Sequence, residues 1–175
     1  MLKNYKIRVV ESGDIEAAVD VLSKSFANDP FFVWAIDNYS DRLKVVGDYY
    51  RMYMLHCLEN GVSHLAYTKD DGILGVSVWL ANNARGSSLG DEMERVVGKY
   101  VDRFRLFGNL SYAFEPQDTV FSQLLGFGVV PSATGLGIGS ALLTHHQQEI
   151  DQLGIPSYLE ASSRRTAGGV YRRAG

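Results

Sequence analysis

The chain contains a single cysteine, Cys57. One cysteine excludes an intramolecular disulfide framework and leaves no Cys-rich zinc site. Cys57 falls on the apolar side of a helical pattern, so it reads as a small core residue rather than a nucleophile. Basic charge is in short supply too. The 17 Lys and Arg are outnumbered by 20 Asp and Glu, a formal net charge of -3. Nucleic-acid binders are normally basic, so no nucleic-acid partner is expected. No apolar run reaches the length that spans a bilayer. The opening Met1-Leu2-Lys3-Asn4-Tyr5-Lys6 lacks the apolar stretch of a signal peptide. The expected location is the cytoplasm, with no membrane partner. Internal repeats, low-complexity tracts and domain-dividing linkers are also lacking, so the 175 residues read as a single domain.

What is present alternates between strand and helix patterns. Ile7 to Val10 predicts a short strand. Ser12-Gly13-Asp14 supplies a helix start, with Ser12 or Asp14 as the cap. Ile15, Val19, Leu22 and Phe26 follow at helical spacing. Asn28-Asp29-Pro30 ends that helix, because proline disfavours helix in the residue before it. A second helix places Leu43, Val46, Tyr50, Met54 and Cys57 on one face and stops at Asn60-Gly61. Val62 to Tyr67 and Ile73 to Leu80 are strands, joined by the hairpin turn chemistry of Lys69-Asp70-Asp71-Gly72. Ala81 to Ser88 reads as a polar loop. Met93, Val96, Tyr100, Phe104 and Phe107 mark a third helix. Phe121 to Val130 is a strand ending at Pro131, and Gly135 to Leu153 is a helix opened by glycines. Ser157 to Ala161 reads as a buried strand, and Val170 to Ala174 begins another helix. The predicted class is α/β (α+β), a mixed sheet with helices on both faces.

The chemistry concentrates in Val129-Val130-Pro131-Ser132-Ala133-Thr134-Gly135-Leu136-Gly137-Ile138-Gly139-Ser140. The order is strand, loop, helix. Glycines at 135, 137 and 139 permit positive φ and close approach of a ligand to the backbone. Successive N–H groups at a helix start make a site for a phosphate or pyrophosphate. Tight strand–helix packing is the plainer use of such glycines. A P-loop would need Gly-Lys-Ser or Gly-Lys-Thr, and no lysine is present. A dinucleotide fingerprint fits better, with Gly135-Leu136-Gly137 and then Glu160 about twenty residues on. Against it, Ser140 replaces the third glycine, and 15 residues after Glu160 cannot complete a doubly wound domain.

Pro131 through Leu143 resembles the coenzyme-A loop of the GNAT N-acetyltransferase superfamily, Gln/Arg-x-x-Gly-x-Gly/Ala, with Thr134 to Gly139 aligned to it. Tyr158-Leu159-Glu160-Ala161-Ser162 resembles the fifth strand of the branch that includes puromycin acetyltransferase-like proteins. Val170-Tyr171-Arg172-Arg173-Ala174-Gly175 resembles the Leu-Tyr-x-x-x-Gly-Phe helix end of that family. Ser25 to Phe31 and Gly75 to Leu80 are similar to that branch's first helix turn and third strand. Thr134 stands where Gln or Arg usually starts the loop, and Leu136 where Lys or Arg is frequent. Backbone amides would therefore carry most of the coenzyme-A contacts.

The resemblance implies an acetyl-CoA-dependent enzyme, without a metal, in which an amine attacks the thioester directly. The implied cofactor residues are Phe127, Gly128, Val129, Thr134, Gly135, Leu136, Gly137, Ile138, Gly139 and Ser140, with Thr166 where an asparagine is usual. Coenzyme A would lie in a splay between the strands ending at Val129 and Ala161. The Val129 N–H is the candidate oxyanion donor. Tyr171 is the candidate general acid, since a phenol near pKa ~10 can protonate a thiolate of pKa ~8.5. Glu160, Glu115, His145 and His146 are candidate bases for the acceptor ammonium. Phe26, Phe31, Phe32, Trp34 and Tyr39 would line the pocket for a small-molecule or peptide amine. A non-catalytic acyl-CoA-binding module on the same scaffold is the alternative. In the family two further strands follow the position of Gly175, so a domain without its C-terminal strands is expected, with an exposed edge that favours a homodimer.

Overall fold

The computed structural model describes residues 4–84, 86–164 and 167–174. Thr166 and Gly175 lie outside the described residues. The sheet has five strands in the order β1 (Lys6–Val9), β2 (Gly61–Thr68), β3 (Gly72–Ala81), β4 (Ser122–Val129), β5 (Ser157–Tyr158). Neighbours are antiparallel except β4 and β5, which run parallel. The mixed sheet expected from the sequence is therefore present. Helices α1 (Ile15–Phe26), α2 (Pro30–Ala35), α3 (Tyr39–Asn60), α4 (Gly86–Val97) and α5 (Val101–Phe114) precede β4. Helix α6 (Ile138–Asp151) joins β4 to β5. Among the described residues no helix is long and apolar enough to cross a membrane.

Strand alternation assigns the two faces. Leu65, Val76, Val78 and Leu80 pack with Val19 and Leu22 of α1 and with Val46, Tyr50 and Met54 of α3. Ala66 and Leu74 turn the other way, onto Ile138 and Leu142 of α6. Leu43, expected on the buried face of α3, is exposed. It sits at the margin of a stripe that Val46, Tyr50, Met54 and Cys57 occupy. The first helix is entered through Ser12–Asp14, a single 3-10 turn. Asp14 accepts the Glu11 amide at 2.9 Å and pairs with Arg8 at 2.6 Å. Pro30 does more than end α1, because its fixed φ suits the first position of α2, which Asp29 caps by accepting from the Phe31 amide at 2.9 Å.

Three expected elements differ. The polar stretch after β3 is a 3-10 turn, Asn82–Ala84, and α4 already begins at Gly86. The third predicted helix is two helices, because Gly98 adopts φ +53° and breaks the ladder between α4 and α5. The buried strand Ser157 to Ala161 shrinks to Ser157–Tyr158, and Ser157 is exposed. Beyond Tyr158 the chain turns towards α5, where Glu160 Oε2 accepts from Ser111 Oγ at 2.7 Å. The C-terminal helical turn, Ala167–Tyr171, continues into Arg172–Ala174.

Candidate active site

The short β5 creates the central feature of the site. β4 pairs with β5 only through Ser122 with Ser157 and Gln123 with Tyr158. From Leu124 to Val129, β4 has no strand partner on that side among the described residues. The two strands therefore splay apart. The Val130 amide donates to Leu74 O of β3 at 2.9 Å. Successive amides of an extended chain point to opposite edges, so the Val129 N–H is directed into the splay.

The glycine loop lies at the same end of β4. Gly135 and Gly137 have φ +79° and +88°, and a Cβ at either would meet nothing within 4 Å. Their glycines answer to backbone conformation, not to crowding. Gly137 is the N-cap of α6 and supplies no side-chain cap. The first helical amides, of Ile138, Gly139 and Ser140, are thus left without intrahelical partners. Two other amides of the loop are spent internally: Thr134 N donates to Pro131 O and Leu136 N to Ala133 O, at 3.2 and 3.3 Å. Ile138 buries its side chain in the core beneath α6, so only its amide is available. Gly139 has a steric reason for being glycine, since a Cβ there would lie 2.9 Å from Phe127 Cζ.

A cavity of about 410 Å³ beside the loop is lined by Lys24, Ser25, Phe127, Gly128, Val129 and Thr134. Lys24 escaped the sequence reading. It lies in the last turn of α1, paired with Asp20 at 2.7 Å, and only the fold brings it to the loop. It supplies a cation beside the position where Thr134 and Leu136 supply none.

A second cavity, of about 470 Å³, adjoins the first through Phe127. Its walls are aromatic: Phe31 and Phe107 rings lie 4.0 Å apart, and Phe31 and Phe104 meet edge-on at 5.2 Å. Of the five aromatics expected there, Phe26, Phe31 and Phe32 line it. Trp34 and Tyr39 do not. Trp34 sits under Arg103, and Tyr39 is an exposed ring over Arg42. Tyr49, Tyr53, Phe104 and Phe107 complete the walls from α3 and α5. Asp29, Glu115 and Glu160 also reach the cavity, making it acidic.

Tyr171 lines this cavity, with its ring 5.8 Å from that of Phe127. Burial, with a smaller contribution from Asp29, pushes its phenol up to about 12. Glu160 is exposed and accepts from Tyr158 OH at 3.2 Å in addition to Ser111. His145 and His146 lie away from the cleft, on the α6 side of the sheet. His146 stacks on Trp79 at 3.9 Å and its Nε2 shares a 2.9 Å hydrogen bond with Ser122 Oγ. Burial drives it down to about 3, so packing, not proton transfer, is its use. Cys57 is buried and its thiol is pushed up to about 12 by that burial, which fits the core role expected of it.

No family model and no curated protein matches the chain in sequence. Solved structures do match. The histone acetyltransferase HPA2 and related acetyltransferase of Corynebacterium glutamicum is 26% identical, with a TM-score of 0.71 over 98% of this chain and 83% of that one. Arylalkylamine N-acetyltransferase 2 of Aedes aegypti is 15% identical, with a TM-score of 0.72 over 99% of this chain and 82% of that one. The polyamine N-acetyltransferase of Drosophila melanogaster, which catalyses formation of N-acetylagmatine, is 15% identical, with a TM-score of 0.64 over 97% and 82%. These neighbours are GNAT-family acetyltransferases, and the five-stranded sheet flanked by helices shares their fold.

Proposed function

We propose that this chain is an acetyl-CoA-dependent N-acetyltransferase that acylates a small cationic amine by direct attack on the thioester. The observation that carries the reading is a pair of cavities that share Ser25 and Phe127. A helix start rich in unpaired amides opens onto the splay of β4 and β5, and that splay leads into an acidic, aromatic cavity. The neighbours that act on agmatine and arylalkylamines support an amine as acceptor. The resemblance of Ser25 to Phe31 and Gly75 to Leu80 supports the puromycin acetyltransferase-like branch.

Acetyl-CoA supplies the activated acetyl group. The amides of Gly135 and of Gly137 to Ser140 hold its pyrophosphate, with Lys24 adding charge. Phe127, Gly128 and Val129 present the strand edge to pantetheine. The Val129 N–H donates to the thioester carbonyl oxygen as negative charge develops there. An alkylammonium near pKa ~10.4 is mostly protonated at neutral pH, so its proton passes to a cleft carboxylate, Glu160 or Glu115. The C–N bond forms, the C–S bond breaks, Tyr171 gives its proton to the departing thiolate, and the second proton shed by the acylated nitrogen restores the phenol. Thr134 in place of the loop's usual Gln or Arg favours a second reading, a non-catalytic acyl-CoA-binding module.

Thiol release from acetyl-CoA, followed across a panel of alkyl, polyamine and arylalkyl amines, separates the two. Amine-dependent turnover supports the enzyme. Saturable coenzyme-A binding with no turnover on any amine supports the module. Thermal stabilisation by NAD and none by coenzyme A would overturn both and restore the dinucleotide reading.

A further inference from the structure

On the sheet face opposite the cleft, β2 and α6 bring together residues that the proposed reaction does not use. His64 of β2 is fully buried; its Nδ1 has no hydrogen-bond partner, and its Nε2 faces only the Glu149 carboxylate of α6. Ser77, its cross-strand partner on the same face, has a buried hydroxyl without a hydrogen bond as well. A buried polar group left unpaired is costly, and native folds normally satisfy it. Above His64 stand His145 and Glu149, four residues apart and so on one face of α6. Glu149 Oε2 lies 3.2 Å from His64 Nε2, and Glu149 Oε1 lies 3.8 Å from His145 Nε2. The two imidazole rings meet edge-on with centroids 4.8 Å apart.

We propose that His64, His145 and Glu149 form a binding site for a divalent transition metal, zinc by preference, that clasps α6 to β2. One donor atom from each residue lies within 4.8 Å of the other two. Tetrahedral zinc with bonds of about 2.1 Å sets its donors roughly 3.4 Å apart. The remaining difference is small and falls on the right side chains. His64 is fixed by burial, whereas His145 and Glu149 are 38% and 47% exposed and can close onto the ion. Two imidazoles and a carboxylate are a known zinc donor set, with water completing the fourth position. Imidazole ligands also select against magnesium and calcium. The ion would bridge buried His64 to α6 and fix the helix whose first turn carries the glycine loop.

Competing sites are few, because the chain has 4 histidines and 1 cysteine. Cys57 is buried, His56 Nε2 is 3.0 Å from Ala84 O, away from this cluster, and His146, whose Nδ1 lies 3.7 Å from Glu149 Oε2, is engaged by the Trp79 ring and Ser122 Oγ. The test uses untagged, chelator-treated protein, titrated with Zn²⁺ against a chromophoric chelator and with Co²⁺ followed by its visible spectrum. One saturable equivalent and a tetrahedral-type cobalt spectrum are expected, with a rise in melting temperature on adding zinc. His145→Ala and Glu149→Gln should each weaken zinc binding by more than about tenfold, since loss even of outer ligand support costs 10- to 100-fold. Both change exposed side chains, and unchanged metal-free melting and circular dichroism would show that they fold. Absence of a saturable equivalent in the parent protein, as for a cluster holding only water, would overturn the site. So would parent-like zinc affinity in both variants.

Discussion

In the proposed reaction Tyr171 is the general acid, and its environment acts on it in two directions. Burial in the cleft pushes its phenol up to about 12. Against a free thiol near ~8.5, donation is then uphill by about 3.5 pK units, or roughly 5 kcal/mol. The leaving thiolate would sit in the same desolvated cleft, which raises its own pKa and narrows that gap. Tyr171→Phe keeps the ring against Phe127 and removes the proton. It is expected to slow acetyl transfer by about 10²–10⁴-fold while leaving coenzyme-A affinity nearly unchanged. Single-turnover rates and calorimetric binding measure the two separately. The raised pKa also fixes a pH dependence. The phenol holds its proton until the pH passes well above its ordinary value, while the acceptor loses its proton as pH rises. kcat/KM should therefore climb with pH and show no alkaline fall below about pH 10. A fall centred near pH 8 to 9 would remove Tyr171 as the acid.

At the scale of elements, glycines do two different jobs, and single substitutions tell them apart. Gly126 in β4 lets α3 approach, and a Cβ there would lie 2.8 Å from Tyr50 Cε1, on a ring that is itself buried. Gly126→Ala is expected to destabilise the fold by about 1–3 kcal/mol through overpacking, read as a lower denaturation midpoint. Gly137 has open space around its Cα but φ +88°, which a branched residue adopts only at a cost of about 1–3 kcal/mol. Gly137→Val is expected to weaken coenzyme-A binding by at least about tenfold, or 1.4 kcal/mol. Parent-like affinity would move the pyrophosphate away from this loop. The loop was legible in the sequence because three alternating glycines at a helix start have a local cause. The alternation that defined β2 and β3 was local in the same sense. The division of α4 from α5 hung on one glycine inside an otherwise continuous apolar period, so periodicity alone ran through it. The shortness of β5 was hidden for a different reason. Beyond Tyr158 the chain meets Ser111, 49 positions from Glu160, and no window of sequence contains both.

The whole molecule divides its cleft between two sources. The proposed coenzyme-A side comes from β4, the glycine loop and the end of α1, nearly all of it contiguous in sequence. The aromatic cavity proposed for the acceptor is assembled from α1, α2, α3 and α5, and that dispersal is why the sequence does not point to Tyr49, Tyr53, Phe104 and Phe107, which line it, while Trp34 and Tyr39 do not. Proximity in the chain suggested one aromatic cluster, and packing selected another. Phe127 and Ser25 form the boundary, since both line both cavities. This arrangement predicts that the two ligands can be perturbed independently. Phe107 is the suitable probe, because it lies at the rim, is 36% exposed, and touches Phe31 but not the glycine loop. Phe107→Ala removes one wall of the cavity proposed for the acceptor's cationic group. A cation over an aromatic face is worth about 0.5–2 kcal/mol, so the acceptor KM should rise by roughly 2- to 30-fold. Coenzyme-A affinity, measured by calorimetry on the same preparation, should stay within twofold or so of the parent. Gly137→Val should show the reverse pattern, a loss of coenzyme-A affinity with little change in acceptor KM at saturating acetyl-CoA. Equal losses of both affinities in Phe107→Ala would mean that the aromatic cavity and the loop form one binding site, and would withdraw the acceptor assignment from α2 and α5.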